Sequence, residues 1–170
     1  MHIKSAKIEY HQFEQATKET NKINSILEKL LERTNSSRVS VNYFHNGTHN
    51  LIRNPFFYYS MLFEKTRPGL SNELDKTQRI PIGIDESVTE LIQQGCVSYS
   101  SFKPDSNLNY LMSNRGISSL VRCPMFDIEK KIFGFISLEF VTPKNEKQLK
   151  DYYPIVLEFG QIIIGALDSK

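Results

Sequence analysis

The chain has 170 residues, 39% of them hydrophobic, which is enough for one domain that buries most of its apolar surface. With 21 basic and 19 acidic residues the formal net charge is +2, a balance that indicates neither a nucleic acid nor an anionic membrane surface as a partner. No apolar run approaches the roughly 18 residues of a membrane span and the N-terminus has no apolar leader segment, so we expect a soluble, cytoplasmic protein.

The first predicted element is a long amphipathic helix over residues 9–34, a stretch without proline or glycine. Its stripe is weak at the N-terminal end, where Ala16 and Thr20 replace large apolar side chains, so these turns fray unless another chain covers them. The stripe follows alternating steps of three and four residues: Phe13, Ala16, Thr20, Ile23, Leu27, Leu30 and Thr34.

A β-hairpin is predicted next. Residues 36–47 alternate as a strand, Asn46-Gly47 supplies a turn, and the aromatic-rich residues 56–65 return. The loop is longer than two residues because Asn54-Pro55 delays the second strand. On that strand the alternation separates two faces, one with Tyr58, Ser60 and Leu62 and the other with Tyr59, Met61 and Phe63.

Residues 66–116 read as an irregular excursion. Its Pro68-Gly69 and Pro81-x-Gly83 turns flank a short strand near residues 79–82. Asp85 looks like the N-cap of a helix that ends at Gly95, and another short strand and helix follow before Gly116.

The last predicted elements are an antiparallel hairpin, residues 117–126 and 132–141, and an amphipathic helix over residues 145–167. This order predicts an α+β fold. We expect a central antiparallel sheet of about five or six strands, with the terminal helices on one face and the short helices and loops of the excursion on the other. A ligand cavity would lie between the sheet and the excursion.

The two cysteines, Cys96 and Cys123, lie in apolar segments without a C-x-x-C spacing. Such cysteines in a reducing compartment are typically buried and unpaired. We therefore expect two free thiols.

The C-terminal half resembles a GAF domain. Cys123-Pro124-Met125 matches an apolar-Pro-apolar step of that family, Phe133-Gly134-Phe135 matches its apolar-Gly-apolar step, and a terminal helix closes the fold. The resemblance implies a GAF-like, non-enzymatic sensory or regulatory module, which binds a small molecule and dimerises through its terminal helices. Residues 1–35 would form the dimerising helix and residues 36–170 the GAF-like domain.

The "FHNG" run at residues 44–47, with the later Phe-rich strand and Glu64, also resembles a group of GAF-like proteins of tailed bacteriophages and bacteria. Some of those have a membrane helix that this chain does not show. This resemblance implies an alternative function, a phage-encoded, ligand-free scaffold for protein interactions.

The sequence motifs that would indicate a specialised chemistry are missing from this chain. The bilin-attachment cysteine and the cyclic-nucleotide signature of the family are missing, and no hydrolase or nucleotide-binding motif is present. A thiol-based redox enzyme would need a low-pKa thiol with a nearby base, and only Arg122 adjoins a cysteine. His45 and His49 have a four-residue spacing but lie in a glycine-containing loop, so we expect no metal, and a hydrogen bond from His45 to the loop backbone is the plainer reading. The cofactor, if any, is unknown.

Arginine suits the recognition of carboxylate or phosphate groups, and Arg53, Arg79, Arg115 and Arg122 are the cations expected near the cavity. The ligand-binding candidates are Phe44, His45, Tyr58, Ser60, Glu64, Arg79, Tyr99 and Arg122.

A homodimer is expected from the terminal helices. Several apolar residues widen their stripes, so each helix could contact both the sheet and a partner helix in a parallel four-helix bundle. These residues are Ile26, Leu31, Ile155, Ile162 and Ile164.

Overall fold

A computed structural model describes residues 2–49 and 55–168. Its helices and strands follow the predicted order, with a short 3₁₀ turn at Ile82–Ile84. They are α1 (His2–Thr34), β1 (Arg38–His49), β2 (Pro55–Thr66), β3 (Ile80–Pro81), α2 (Glu86–Gln94), β4 (Val97–Tyr99), α3 (Asn107–Ser113), β5 (Ser119–Phe126), β6 (Ile132–Phe140), α4 (Glu146–Asp151) and α5 (Tyr153–Asp168).

The strands form one sheet of six strands in the order β3-β2-β1-β6-β5-β4, and all neighbours are antiparallel. The long central strands pair over most of their length. This arrangement confirms the predicted α+β fold with a central antiparallel sheet.

Alternation along the strands separates two cores. Val39 and Val41 of β1 pack with Leu138 of β6 against α1 and α5. On the opposite face Tyr59 and Phe135 pack with residues of α2. The terminal helices therefore cover one face and the excursion covers the other, as predicted.

The turn predicted at Asn46-Gly47 is wrong. Strand β1 continues to His49, and the pairing shifts register between Asn46 and His49 before His49 meets Pro55. The pairing of β1 with β2 includes Asn46-Gly47 in an irregular stretch, because Asn and Gly also tolerate the backbone angles of a bulge. The connection falls in residues 50–54, outside the described residues.

The predicted alternation of β2 is also broken. A register shift between Val41 and Asn42 leaves Leu62 as an extra residue, because Val41 pairs with Phe63 whereas Asn42 pairs with Met61. Phe63 consequently packs against the terminal-helix core while Tyr59 belongs to the excursion-side core.

The C-terminal helix is two helices. Helix α4 has a capping box formed by Asn145 and Gln148, and α5 begins at Tyr153. Pro154 lacks the N–H that a continuous helix would need at this position, so the chain restarts there.

The expectation of two free thiols is wrong, because Cys96 and Cys123 form a disulfide. Val97 of β4 pairs with Arg122 of β5, so the preceding and following cysteines face each other across the two strands. Their Cα atoms lie 4.1 Å apart. Sequence spacing could not show this proximity, because it arises from the register of two strands that are distant in the chain.

Candidate functional site

Arg122 lies at the centre of the interface between sheet and excursion, where it is only 2% exposed. Its Nη1 donates to Asp85 Oδ2 at 2.7 Å and to Ser87 Oγ at 2.6 Å. The Tyr59 hydroxyl donates to the same Asp85 oxygen at 2.7 Å. Asp85 also caps α2, since its Oδ1 accepts the Ser87 N–H. Arg122 therefore ties the start of α2 to the middle of the sheet.

Electrostatics stabilises the ionised forms of this pair. Burial alone would raise the pKa of Asp85, but the Arg122 guanidinium and hydrogen bonds from Ser87 and Tyr59 hold that pKa below its usual value. Burial and then the Asp85 charge raise the pKa of Tyr59, so its phenol keeps its proton. Burial opposes the charge on Arg122, yet Asp85 outweighs burial and raises the Arg122 pKa. These groups do not change protonation near neutral pH, which suits a structural role better than acid–base catalysis.

Glu139 of β6 forms a second buried network. Its carboxylate accepts from Arg38 Nη1 and, at 2.7 Å, from Arg115 Nη1. Arg115 Nη2 donates to Thr77 Oγ1 at 2.7 Å, and Arg38 Nη2 donates to the Ser71 carbonyl at 2.6 Å. Burial would raise the pKa of Glu139, but Arg115 and Arg38 lower it below its usual value. This network joins β1 and β6 to two separate parts of the excursion.

Glu64 anchors the first loop of the excursion. Its carboxylate accepts the backbone N–H groups of Glu73 at 3.0 Å and Leu74 at 2.9 Å. Glu64 Oε2 also lies 3.5 Å from Arg38 Nε. All these partners belong to the chain itself.

The centre of the predicted cavity is therefore occupied by protein side chains. Phe135 is fully buried, with its ring centroid 4.9 Å from Arg122 Cζ and 5.2 Å from the Tyr59 ring. Met112 of α3 and Leu120 of β5 are fully buried in a neighbouring cluster. A ligand could not enter here without moving the Arg122 network.

Open space remains on the same side of the sheet, where the ends of β1, β2 and β6 meet α2. This apolar groove has a volume of about 630 Å³. Ile92 of α2 and Phe57 of β2 are 47% and 48% exposed, although both are large apolar residues. The groove is lined by Phe44, Phe57, Pro81, Ile82, Gly83, Ile92 and Ile132.

The predicted ligand-binding residues do not all lie together. Four of them lie on the excursion face of the sheet: Phe44, Glu64, Tyr99 and Arg122. Phe44 lines the apolar groove, and the Tyr99 hydroxyl donates to Glu90 Oε2 at 2.6 Å. The remaining predicted residues lie on the opposite face or at the sheet edge: His45, Tyr58, Ser60 and Arg79.

This second group forms a stacked cluster. His45 Nε2 lies 2.8 Å from Ser60 Oγ, which also accepts the Arg79 N–H at 2.8 Å. The His45 and Tyr58 rings stack at 5.9 Å, and Arg79 Cζ lies 5.5 Å from the Tyr58 centroid. His45 thus bonds a side chain rather than the loop backbone that the sequence suggested.

The metal prediction is tested only in part. The side chain of His49 lies outside the described residues. So does Arg53, which the sequence suggested as a cation near the cavity. Among the side chains that are described, no group of three or more His, Cys, Asp or Glu residues could hold a metal ion.

Sequence reasoning missed several central residues. Asp85 was identified only as a helix cap, and Tyr59 and Phe135 were not assigned to the site. The useful signal was Arg122 itself, because a charge within the apolar run of β5 requires a buried partner. The residue that could have indicated the groove was Ile92. It lies at the margin of the apolar face of α2, and its side chain is left partly exposed.

No protein-family model matches the chain, and the search of characterised proteins finds no relative. Solved structures do match it. The blue-light absorbing form of the PixJ GAF domain from Thermosynechococcus elongatus has a TM-score of 0.62 at 14% identity, with 89% of this chain and 88% of that chain covered. GAF3 from a Synechocystis protein, in its photoproduct state, has a TM-score of 0.58 at 14% identity, with 88% and 95% covered.

The phycoerythrobilin-bound GAF domain of a cyanobacterial phytochrome gives a TM-score of 0.56 at 15% identity, with 91% of this chain and 95% of that chain covered. At these identities the matches establish the fold, which is GAF-like. Within the described residues no helix combines the length and apolar character that crossing a membrane requires.

Proposed function

We propose that this protein is a non-enzymatic sensory or regulatory module that binds a small apolar molecule in the apolar groove and dimerises through its terminal helices. The observation that supports this proposal most directly is the apolar groove. It is the space left open on the excursion face, beside the centre of the interface that side chains fill. Its volume of about 630 Å³ lies within the usual range for small-molecule sites. The sensory role also accords with the light-absorbing and bilin-bound GAF domains that share the fold.

The chemistry of the groove favours an uncharged, mainly hydrophobic ligand. All seven lining residues are apolar or glycine, and no charged side chain is among them. Burying a charge or an unpaired polar group against such walls would be unfavourable. Covalent attachment through a free cysteine is also disfavoured, because both cysteines are paired with each other.

The charged residues support a non-enzymatic role. The two interface carboxyl groups whose pKa values are lowered, Asp85 and Glu139, are fully buried and bonded to arginines. Neither contributes to the wall of the groove. Among the residues that the structure describes, a ligand in the groove would therefore meet no positioned acid, base or nucleophile.

The dimer proposal rests on the terminal helices. Among the described side chains of α1, Ile23 is the first that is buried, and residues 14–18 and 20–22 are exposed. On α5, Leu157 is 39% exposed and Ile162 is 45% exposed. Apolar exposure on helices that already pack on the sheet suits contact with the same helices of a second copy.

A ligand-free scaffold is the second candidate, and the filled centre favours it. Arg122, Tyr59 and Phe135 close the volume that a polar ligand would need. The resemblance of residues 44–47 to phage and bacterial GAF-like proteins supports the same function. In this alternative the dimer would present surfaces to other proteins.

Native mass spectrometry of the full chain purified from cells distinguishes these candidates. The sensory proposal predicts twice the 19.7 kDa chain mass, plus the mass of a retained small molecule. Ile92→Glu should remove the retained molecule by placing a carboxylate in the groove, while the dimer persists. Val141→Glu is the control, since Val141 is 40% exposed and does not line the groove.

A bare dimer from several growth conditions would support the scaffold. A monomer at high micromolar concentration would contradict the dimer proposal. Retention of the molecule by Ile92→Glu would place its site elsewhere.

A further inference from the structure

Helix α2 is attached at both ends to consecutive residues of β5. At its N-terminal end, Asp85 forms an ion pair with Arg122, and Asp85 Oδ2 lies 2.7 Å from Arg122 Nη1. At its C-terminal end, Gly95 closes the helix and Cys96 is joined to Cys123. Because side chains alternate along a strand, the two attachments reach opposite faces of the sheet. Together they determine where α2 lies.

The position of α2 in turn determines the shape of the apolar groove. Ile92 forms part of its wall, and Ile82 and Gly83 precede the helix closely. Val88 and Leu91 pack on Phe135 from the same helix. A change at the end of α2 therefore reaches the groove within a few residues.

The two cysteines differ in exposure. Cys123 is fully buried, whereas Cys96 is only partly buried and begins the short edge segment that leads into β4. A thiol from solution therefore reaches Cys96 more readily. Cys123 Sγ lies 4.0 Å from the carbonyl oxygen of Tyr153, the first residue of α5, so a reduced Cys123 has an acceptor for its S–H.

We propose that Cys96–Cys123 is a reversible redox clamp: its reduction by a low-molecular-weight thiol releases the C-terminal end of α2 and loosens the apolar groove. The regulation of ligand binding rests on the proposed function. The release of α2 does not.

The chemistry is thiol–disulfide exchange. A thiolate of the reductant attacks Cys96 Sγ, the Cys96–Cys123 bond breaks, and its electron pair leaves on Cys123 Sγ, which takes a proton. A second thiolate of the reductant attacks the mixed disulfide and leaves Cys96 as a thiol. The protein disulfide is reduced to two thiols, and two reductant thiols are oxidised to one disulfide.

Hydrogen exchange and probe binding test this clamp in the full-length protein. Wild type is prepared oxidised with glutathione disulfide or reduced with dithiothreitol. Reduction should speed amide exchange in residues 92–99 about tenfold while β6 stays protected. The affinity for N-phenyl-1-naphthylamine, an uncharged apolar probe, should fall at least about threefold, because a loosened wall must be ordered on binding.

The matched control is Cys96→Ser with Cys123→Ser, which should behave like the reduced protein under both conditions. Equal exchange in oxidised and reduced wild type would overturn the proposal. So would thiols that stay unpaired in glutathione disulfide, or an equal response of the serine variant to dithiothreitol. If the probe binds neither form, the groove is not the ligand site, and the exchange comparison still decides whether the clamp exists.

Discussion

At the scale of single residues, Gly134 is where the sheet tolerates no side chain. It lies opposite Tyr43 in the pairing of β1 with β6. A β-carbon there would overlap the carbonyl oxygen of Asn42 and lie 2.8 Å from Tyr43 Cα. The glycine that suggested a GAF-like pattern thus permits the close approach of two central strands.

We expect Gly134→Ala to lower the free energy of unfolding by about 3 kcal/mol or to prevent folding, because backbone must move to admit the methyl group. Urea unfolding followed by circular dichroism measures the change. Gly165→Ala is the matched control: Gly165 lies exposed in α5 with nothing within 4 Å of the added carbon. That variant should be more stable by about 0.5–1 kcal/mol, since alanine favours helix. Equal stability of the Gly134 variant and wild type would contradict the packing described here.

At the scale of elements, α1 has two parts that differ in the burial of their described side chains. Its last part, from Ile23 to Thr34, contributes four buried apolar residues to the core, Ile23, Leu27, Leu30 and Leu31. The part before Ile23 extends beyond the core. The whole helix of 33 residues would be about 50 Å long at about 1.5 Å per residue.

Deletion of residues 1–21 should weaken dimerisation at least about tenfold, or about 1.4 kcal/mol, with little change in thermal stability. Stability should change little because none of the described side chains among the deleted residues belongs to the hydrophobic core. Sedimentation equilibrium measures the dimer, and a melting curve measures stability. Leu27→Asp is the contrasting variant, because a charge in the core should unfold the protein instead. An unchanged dimer after the deletion would exclude the extended part of α1 from the interface.

At the scale of the whole molecule, two buried ion networks hold the excursion on the sheet. Asp85 and Glu139 have pKa values below their usual range, as described above. A carboxyl group whose pKa is lower in the folded state contributes its full stabilisation above the pKa of the unfolded chain, near 4. That contribution disappears as the pH falls through the folded-state pKa.

We therefore expect the free energy of unfolding to be nearly constant from about pH 7 to 5 and to fall steeply below about pH 4.5. Urea unfolding across this range measures it. Asp85→Asn combined with Arg122→Met should give a shallower fall, because one of the two carboxyl groups is removed with its partner. The same slope in the variant would show that Asp85 is not a source of the acid sensitivity.

The candidate site was only partly predictable from the sequence. Arg122 could be selected because a charged residue in an apolar strand needs a partner, but Asp85 is 37 residues away and looked like an ordinary cap. Strict alternation along β2 separated two faces without showing which of them meets the excursion, so Tyr58, Ser60 and Glu64 were all kept as candidates. One bulge at Leu62 changed which side chains share a face.

The sequence by itself determined the order of elements, the antiparallel sheet and the placement of the terminal helices and the excursion on opposite faces of that sheet. Those features depend on hydrophobic periodicity and turn residues, which act over a few neighbouring positions. Only the tertiary structure decided that the centre is filled, that Cys96 meets Cys123, and that space remains beside Ile92. These depend on strand register and on contacts between distant segments, because one shift in pairing changes which side chains meet.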